Sequence, residues 1–306
     1  MNTKKYVTGL TCAALLLAPM AAFADSTDVK LMVNDDYVYS EEAEGQPYIN
    51  DAGRTMIPLR IVSESIGYAT DWQPDGSIHI TSADGEVDVT LQIGSADYTA
   101  NGQAGTFETV PTLKNDRTYL PARDFSELYG SIYWDNDSRT VWIYDGTDTI
   151  YCILGNSMLR ATGDGITPVT MPEGDEVSKF GKSDFIVQQR VIDGVGYVAV
   201  NYRMNHNMRA KLFRDDGDHM TELTTINGSS SFYVKDDTLY YTDGTSLGPW
   251  SDDINPNTLI VSSLDGEQKT YYTLDFAVNA CMLDMVDGQL VATDPDGVQH
   301  VIELDA

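Results

Sequence analysis

The side chains that could do chemistry here are four histidines, a repeated arginine and a great many carboxylates. His79, His206, His219 and His300 stand apart, and none completes His-x-His or His-Glu-x-x-His, the spacings that put two imidazoles on one metal. No phosphate loop or dinucleotide fingerprint occurs. With 47 Asp and Glu, a carboxylate pair at glycosidase separation is expected from abundance alone. Asp215-Asp216-Gly217-Asp218 and Asp294-Pro295-Asp296-Gly297 put Asp216, Asp218, Asp294 and Asp296 in turns whose oxygens could ligate Ca2+. Neither turn runs on to the terminal Glu of an EF-hand loop, and hairpins favour Asp and Gly for backbone reasons. The residues therefore assign no catalytic group and no resident metal, with Ca2+ the one cofactor the turns suggest.

The repeated arginine belongs to a motif that occurs twice. Arg54-Thr55-Met56-Ile57-Pro58-Leu59-Arg60 runs through Glu64 to Gly67 and Trp72; Arg117-Thr118-Tyr119-Leu120-Pro121-Ala122-Arg123 runs through Glu127 to Gly130 and Trp134. The offset is 63 through the Gly, slips to 62 at the Trp and returns to 63 at Ile78/Val141 and Ile80/Ile143. That register marks a duplicated unit. Arg-Thr followed by two apolar residues and Pro reads as a strand ending where a helix begins, since Pro suits a first helical turn. Leu59, Val62 and Ile66, like Ala122, Phe125 and Leu128 or Tyr129, recur at helical spacing, and each Gly sits where a left-handed cap is needed. Alternating runs, Ser77–Thr81 and Thr140–Tyr144, close the units.

On such helices Arg60 faces Glu64 and Arg123 faces Glu127, four residues on. Two roles fit these pairs: a tie between helix and loop, or a clamp for an anion or sugar carboxylate. Trp72 and Trp134 serve either as wedges behind the helix or as sugar platforms.

The motif resembles the copper amine oxidase N-terminal, or stalk, domain family, whose pattern is a loop Pro, Arg-Thr, an apolar residue, Pro-x-Arg, a Glu, a Gly and Trp-Asp. Pro47 and Pro111 fill the first position and Trp134-Asp135 the last, while the first copy departs at Trp72-Gln73. The resemblance covers about residues 29–145 and implies a small α+β domain with antiparallel sheet, in exported proteins of Gram-positive bacteria. It implies no oxidase activity, because the copper and quinone of the oxidases lie in another domain.

Residues 1–24 read as a secretory signal peptide: Lys4-Lys5, an apolar run from Leu10 to Ala22, and Ala22-Phe23-Ala24 before Asp25. No other stretch approaches a membrane span, so none is expected after cleavage. Loss of the two lysines leaves 17 basic against 47 acidic residues, a net charge of −30. Residues 25–147 hold 7 basic and 22 acidic residues and 148–306 hold 10 and 25, so the acidity is not a tail. Without clustered cations, nucleic acid is excluded as a partner. Cys152 and Cys281 remain, as one disulfide or two buried thiols.

Beyond residue 147 helical spacing vanishes. Asp/Gly turns recur in pairs among short Tyr- and Val-rich strands, the first of each pair at Gly155, Asp193, Asp236 and Asp287. These are four β-meander units at propeller-blade spacing, the first and last one strand short and able to complete each other. Residues 243–257 form the one long loop, with Trp250 behind Pro249 at its tip as a candidate binding residue beside Arg60 and Arg123.

The expectation is an α+β stalk-like domain (25–147) followed by an all-β propeller-like or β-meander domain (148–306). Its function would be that of an exported, non-catalytic protein of the cell surface or wall, with a wall glycan, a peptide or a surface protein as partner. The alternatives are a secreted hydrolase with carboxylate chemistry in the second domain and a Ca2+-dependent adhesion or sensing module.

Overall fold

The computed structural model describes residues 29–38, 45–146, 148–175, 185–202, 209–227, 230–242 and 255–304. Residues 1–24, read above as a signal peptide, and Trp250 lie outside these residues. Within them the chain is mostly β, with two short α-helices and seven small sheets. No helix among them is long and apolar enough to cross a membrane.

β1 (Lys30–Val33) and β2 (Asp36–Val38) form the opening hairpin. The first motif copy follows: β3 (Tyr48–Ile49), β4 (Thr55–Pro58), α1 (Leu59–Ser65), β5 (Ala69–Trp72) and β6 (Ser77–Thr81). Next come β7 (Asp88–Gln92), β8 (Asp97–Ala100) and β9 (Gln103–Thr106). The second copy contains β10 (Thr112–Lys114), β11 (Arg117–Pro121), a 3-10 turn (Ala122–Phe125), α2 (Ser126–Tyr129), β12 (Ser131–Asp135) and β13 (Thr140–Tyr144).

The two motif strands pair with each other. β4 and β11 run antiparallel with Met56 opposite Pro121, Ile57 opposite Leu120 and Pro58 opposite Tyr119. Shifting each residue to its counterpart in the other copy reproduces the same pairs, so a local two-fold passes through Ile57–Leu120. Both side chains are fully buried. They sit in one core shared by both copies, with Leu59 and Val62 opposite Phe125, and Ile78 and Ile80 opposite Val141 and Ile143.

α1 ends as its Gly67 implies: φ is +83°, the Gly67 amide donates to the Glu64 carbonyl at 3.0 Å and the Tyr68 amide to Ser63 at 2.8 Å. This is the Schellman closure that a left-handed residue permits. The second helix differs. It opens as a 3-10 turn and ends at Gly130, where a Cβ would meet the Tyr144 carbonyl oxygen at 2.5 Å. Ser63 and Tyr129 join the two helices through a 2.7 Å hydroxyl contact, both residues buried.

Sheet partners depart from the expected local antiparallel order. β1 runs parallel to β13, the last strand of the other copy, in a sheet of order β12-β13-β1-β2. β7 pairs instead with β6, giving a five-stranded sheet β5 to β9. Each opening segment thus extends the closing strands of the other copy's core face.

In the second half, β14 (Ile150–Leu154), β15 (Ser157–Thr162) and β16 (Gly165–Val169) form one three-stranded sheet. Two four-stranded meanders follow: β17 (Phe185–Ile192), β18 (Val195–Tyr202), β19 (Arg209–Asp215), β20 (Met220–Asn227), then β21 (Phe232–Lys235), β22 (Thr238–Thr242), β23 (Thr258–Ser263), β24 (Lys269–Thr273). β25 (Met282–Val286), β26 (Gln289–Thr293) and β27 (Gln299–Val301) close the chain. Asp193, Asp236, Asp237 and Asp287 take positive φ in the connecting turns, a conformation Asp tolerates and tight hairpins demand.

These sheets stack in series. Met32, Trp142 and Tyr144 pack on Cys152, Leu154 and Leu159, so apolar packing runs across residue 147. Val198, Val200 and Phe213 meet Met158 and Val169; Leu212 and Ile226 meet Phe232 and Leu239; Leu259 meets Leu283 and Leu290. The expected completion of the first and last meanders by each other does not occur: among the described residues they remain separate three-stranded sheets. The first is instead covered by the β12-β13-β1-β2 sheet, whose Trp142 and Tyr144 supply the apolar face it needs. Cys152 and Cys281 are free, buried thiols in different clusters, and burial pushes the Cys152 thiol up to about 12.

Since Leu120 lies on the two-fold with no exposed surface, Leu120→Ala should lower unfolding free energy by about 2–5 kcal/mol. Urea denaturation checks this, and a loss below about 1 kcal/mol would show that the seam does not hold the two copies together.

Candidate functional site

The first motif copy opens onto a cleft of about 500 Å3. Pro58 ends β4 with an extended ψ of 124°, so α1 starts at once and its first turn carries Arg60 outward while Leu59 and Val62 go into the core. Trp72, at the end of β5, is partly buried against that core. The Arg60 guanidinium lies over the indole, 4.1 Å from its centroid. The indole Nε1 donates to Thr118 Oγ1 of the other copy at 3.4 Å. Val38, Pro58, Ile61, Glu64, Asp116 and Arg117 also line it. A flat cation, an aromatic face, a hydroxyl and apolar walls can hold a ligand that has both a polar and an apolar side.

Arg60 does face Glu64, at 4.0 Å, but both side chains are more than half exposed (56% and 64%), so the pair adds little stability. The expected Arg123–Glu127 pair is not formed. Arg123 meets Glu108 at 3.4 Å, and Glu127 hydrogen-bonds Tyr98. The cause is the 3-10 opening of the second helix: at three residues per turn, a residue four positions on no longer lies above Arg123. The adjoining Asp124 is buried, and burial raises its carboxyl pKa although the Glu108 amide donates to it at 3.3 Å.

The aspartate turns direct their oxygens at their own surroundings. Asp216 accepts from Arg214 Nε at 2.7 Å and from Thr221; the Arg214 bond is the main cause of its lowered pKa. Asp218 lies 2.6 Å from His219 Nδ1, which raises the imidazole above its usual value. Asp294 accepts the amides of Asp296 and Val298 at 3.0 and 2.8 Å and meets His300 at 3.2 Å; Asp296 remains exposed beside it. Among the described residues no group of three or more His, Cys, Asp or Glu is gathered for a metal. His79 stands on the outer face of the five-stranded sheet beside Thr90, and His206 lies outside the described residues.

A copper amine oxidase N-terminal domain model matches residues 32–143 and, in an overlapping second match, 111–208. The chain belongs to this family. The first match takes in both motif copies; the second begins just before the second copy and runs past residue 147 through the first three-stranded sheet. No curated protein matches the chain. Solved structures similar to it include a calcium-binding protein, regucalcin, from Agrobacterium tumefaciens (12% identity, 76% of this chain and 72% of that one, TM-score 0.27). Others are an oligogalacturonate lyase from Vibrio parahaemolyticus (8%, 84% and 95%, 0.32) and a virginiamycin B lyase from Staphylococcus aureus (13%, 83% and 82%, 0.26). Likeness of this degree assigns neither ligand nor chemistry to this chain.

Arg190 gives no sequence signal, because it sits alone in an apolar strand. Its guanidinium donates to the carbonyls of Phe232, at 2.9 Å, and Leu283, and meets Asp284 at 3.5 Å, tying three successive sheets. Burial draws its pKa below the usual guanidinium value. Tyr151 and Arg160 tie the two preceding sheets through Asp215, at 2.6 and 2.8 Å.

Two measurements follow from these environments. Arg123, 79% exposed, should cost less than about 1 kcal/mol on replacement by Ala, whereas Arg190→Ala should cost about 2–4 kcal/mol by stranding buried carbonyls; chemical denaturation separates the two. In an NMR titration His219 should show a pKa above 6.5, falling in Asp218→Asn. Because the folded value is raised, the contact stabilises below the ordinary imidazole pKa and is lost as pH rises through the raised one. An unshifted His219 would show that the Asp218 contact does not persist in solution.

Proposed function

We propose that this family member is an exported, non-catalytic binding protein of the cell surface or wall. In this reading an α+β stalk-like domain, a duplicated unit over residues 25–147, precedes a propeller-like β domain over 148–306. The observation that carries the proposal is the cleft at the first motif copy, where Arg60 lies over Trp72 and faces outward. Arg60 is more than half exposed, and its pairing with Glu64 at 4.0 Å is loose. Its aromatic face and hydroxyl suit a wall glycan or peptide, and the even acidity of the chain accords with solubility outside the cell. The leader-like first 24 residues support export.

The test is a screen of wall glycan and peptide fragments against the chain, read by the side-chain NMR resonance of Trp72. A bound fragment should shift that resonance, and Arg60→Ala or Trp72→Ala should weaken binding about tenfold or more with the fold intact. Fragments that bind without moving Trp72 would place the ligand site elsewhere.

A further inference from the structure

Because the motif occurs twice, one copy reports on what the other can hold. Arg60, Glu64 and Trp72 correspond to Arg123, Glu127 and Trp134. In the second copy the chain itself supplies a partner for the arginine. Glu108 brings its carboxylate 3.4 Å from the Arg123 guanidinium, and its amide donates to Asp124. Phe107, just before it, is buried and stacks on Tyr98 with ring centroids 4.3 Å apart and planes 22° from parallel. Tyr98 in turn bonds Glu127. The motif arginine is thus met by a segment whose aromatic side chain is buried and whose next residue offers a carboxylate.

We infer that the first-copy cleft binds a peptide of the same chemistry: a large apolar or aromatic residue followed by Glu or Asp, with the carboxylate on Arg60. This rests on the reading of that cleft as the ligand site. The guanidinium lies over Trp72, 4.1 Å from the ring centroid, and is more than half exposed, so a carboxylate can reach it in competition with the loose Glu64 contact. Arg117 is a second cation in the lining, beside the carboxylates of Glu64 and Asp116, and Val38, Pro58 and Ile61 offer an apolar wall for the preceding side chain. Val38 also ends β2, the edge strand of its sheet, beside which an extended backbone can lie. A single carboxylate suits this surface better than an acidic tract, which the net charge of −28 would repel.

Calorimetric titration of the chain with a capped Thr-Phe-Glu-Thr peptide and its Thr-Phe-Gln-Thr analogue tests the inference. The Glu peptide should bind, and the Gln peptide about tenfold more weakly. Arg60→Ala should erase that preference, Arg60→Lys should restore part of it, and Arg123→Ala should leave it intact. Equal affinities, a preference that survives Arg60→Ala, or no binding of the Glu peptide would overturn the inference. If neutral glycans bind and shift Trp72 while the peptide does not, the cleft remains a ligand site and only the peptide assignment falls; if neither shifts Trp72, both fall.

Discussion

The antiparallel contact between β4 and β11 is the constraint on which the first half of the molecule depends. Neither motif copy can bury its apolar strand alone, because each strand has a helix on one side and only a short edge strand on the other. Pairing Ile57 with Leu120 on a local two-fold solves this for both at once. The pairing fixes where α1 and α2 leave the sheet, since each begins at the Pro that ends its strand. It also places Trp72 of one copy beside Thr118 of the other, so the cleft exists only because the copies are joined.

From that core the rest of the chain is added one sheet at a time. Each sheet shows one apolar face to its predecessor and the other to its successor, which is why β13 reads as buried along its whole length. Ile143 and Val141 face the shared core while Trp142 and Tyr144 face the next sheet. Non-directional packing of this kind leaves the mutual rotation of sheets loosely specified. The directional contacts are a few polar ties between sheets, Asp215 near the start of the stack and Arg190 farther along, each buried and bonded to groups from more than one sheet.

The two motif copies present corresponding arginines, and a small change in helix geometry gives them different partners. A regular α-helix in the first copy keeps Arg60 above Glu64 and over Trp72. The 3-10 opening in the second turns Arg123 toward Glu108, which lies 3.4 Å away.

Much of this was determined by the amino-acid sequence alone. The two motif copies, the strand ends at Pro58 and Pro121, the helix that follows, the Gly67 cap and the Asp-rich hairpins are local events, set by φ restriction and by apolar periodicity within a few residues. Membership of the family followed from the same short patterns. Only the tertiary structure decided that β1 would lie parallel to β13, that the outer meanders would stay separate, that Arg123 would take Glu108, and that Trp72 and Arg60 would line one cleft. Periodicity states which face of an element is buried, but a neighbour more than a hundred residues away leaves no mark on it. Arg60–Glu64 was legible because a regular helix relates the two residues by itself. Arg123–Glu108 was not, because it depends on a helical turn tightened where it packs, and on a strand connection that brings Glu108 back across the sheet.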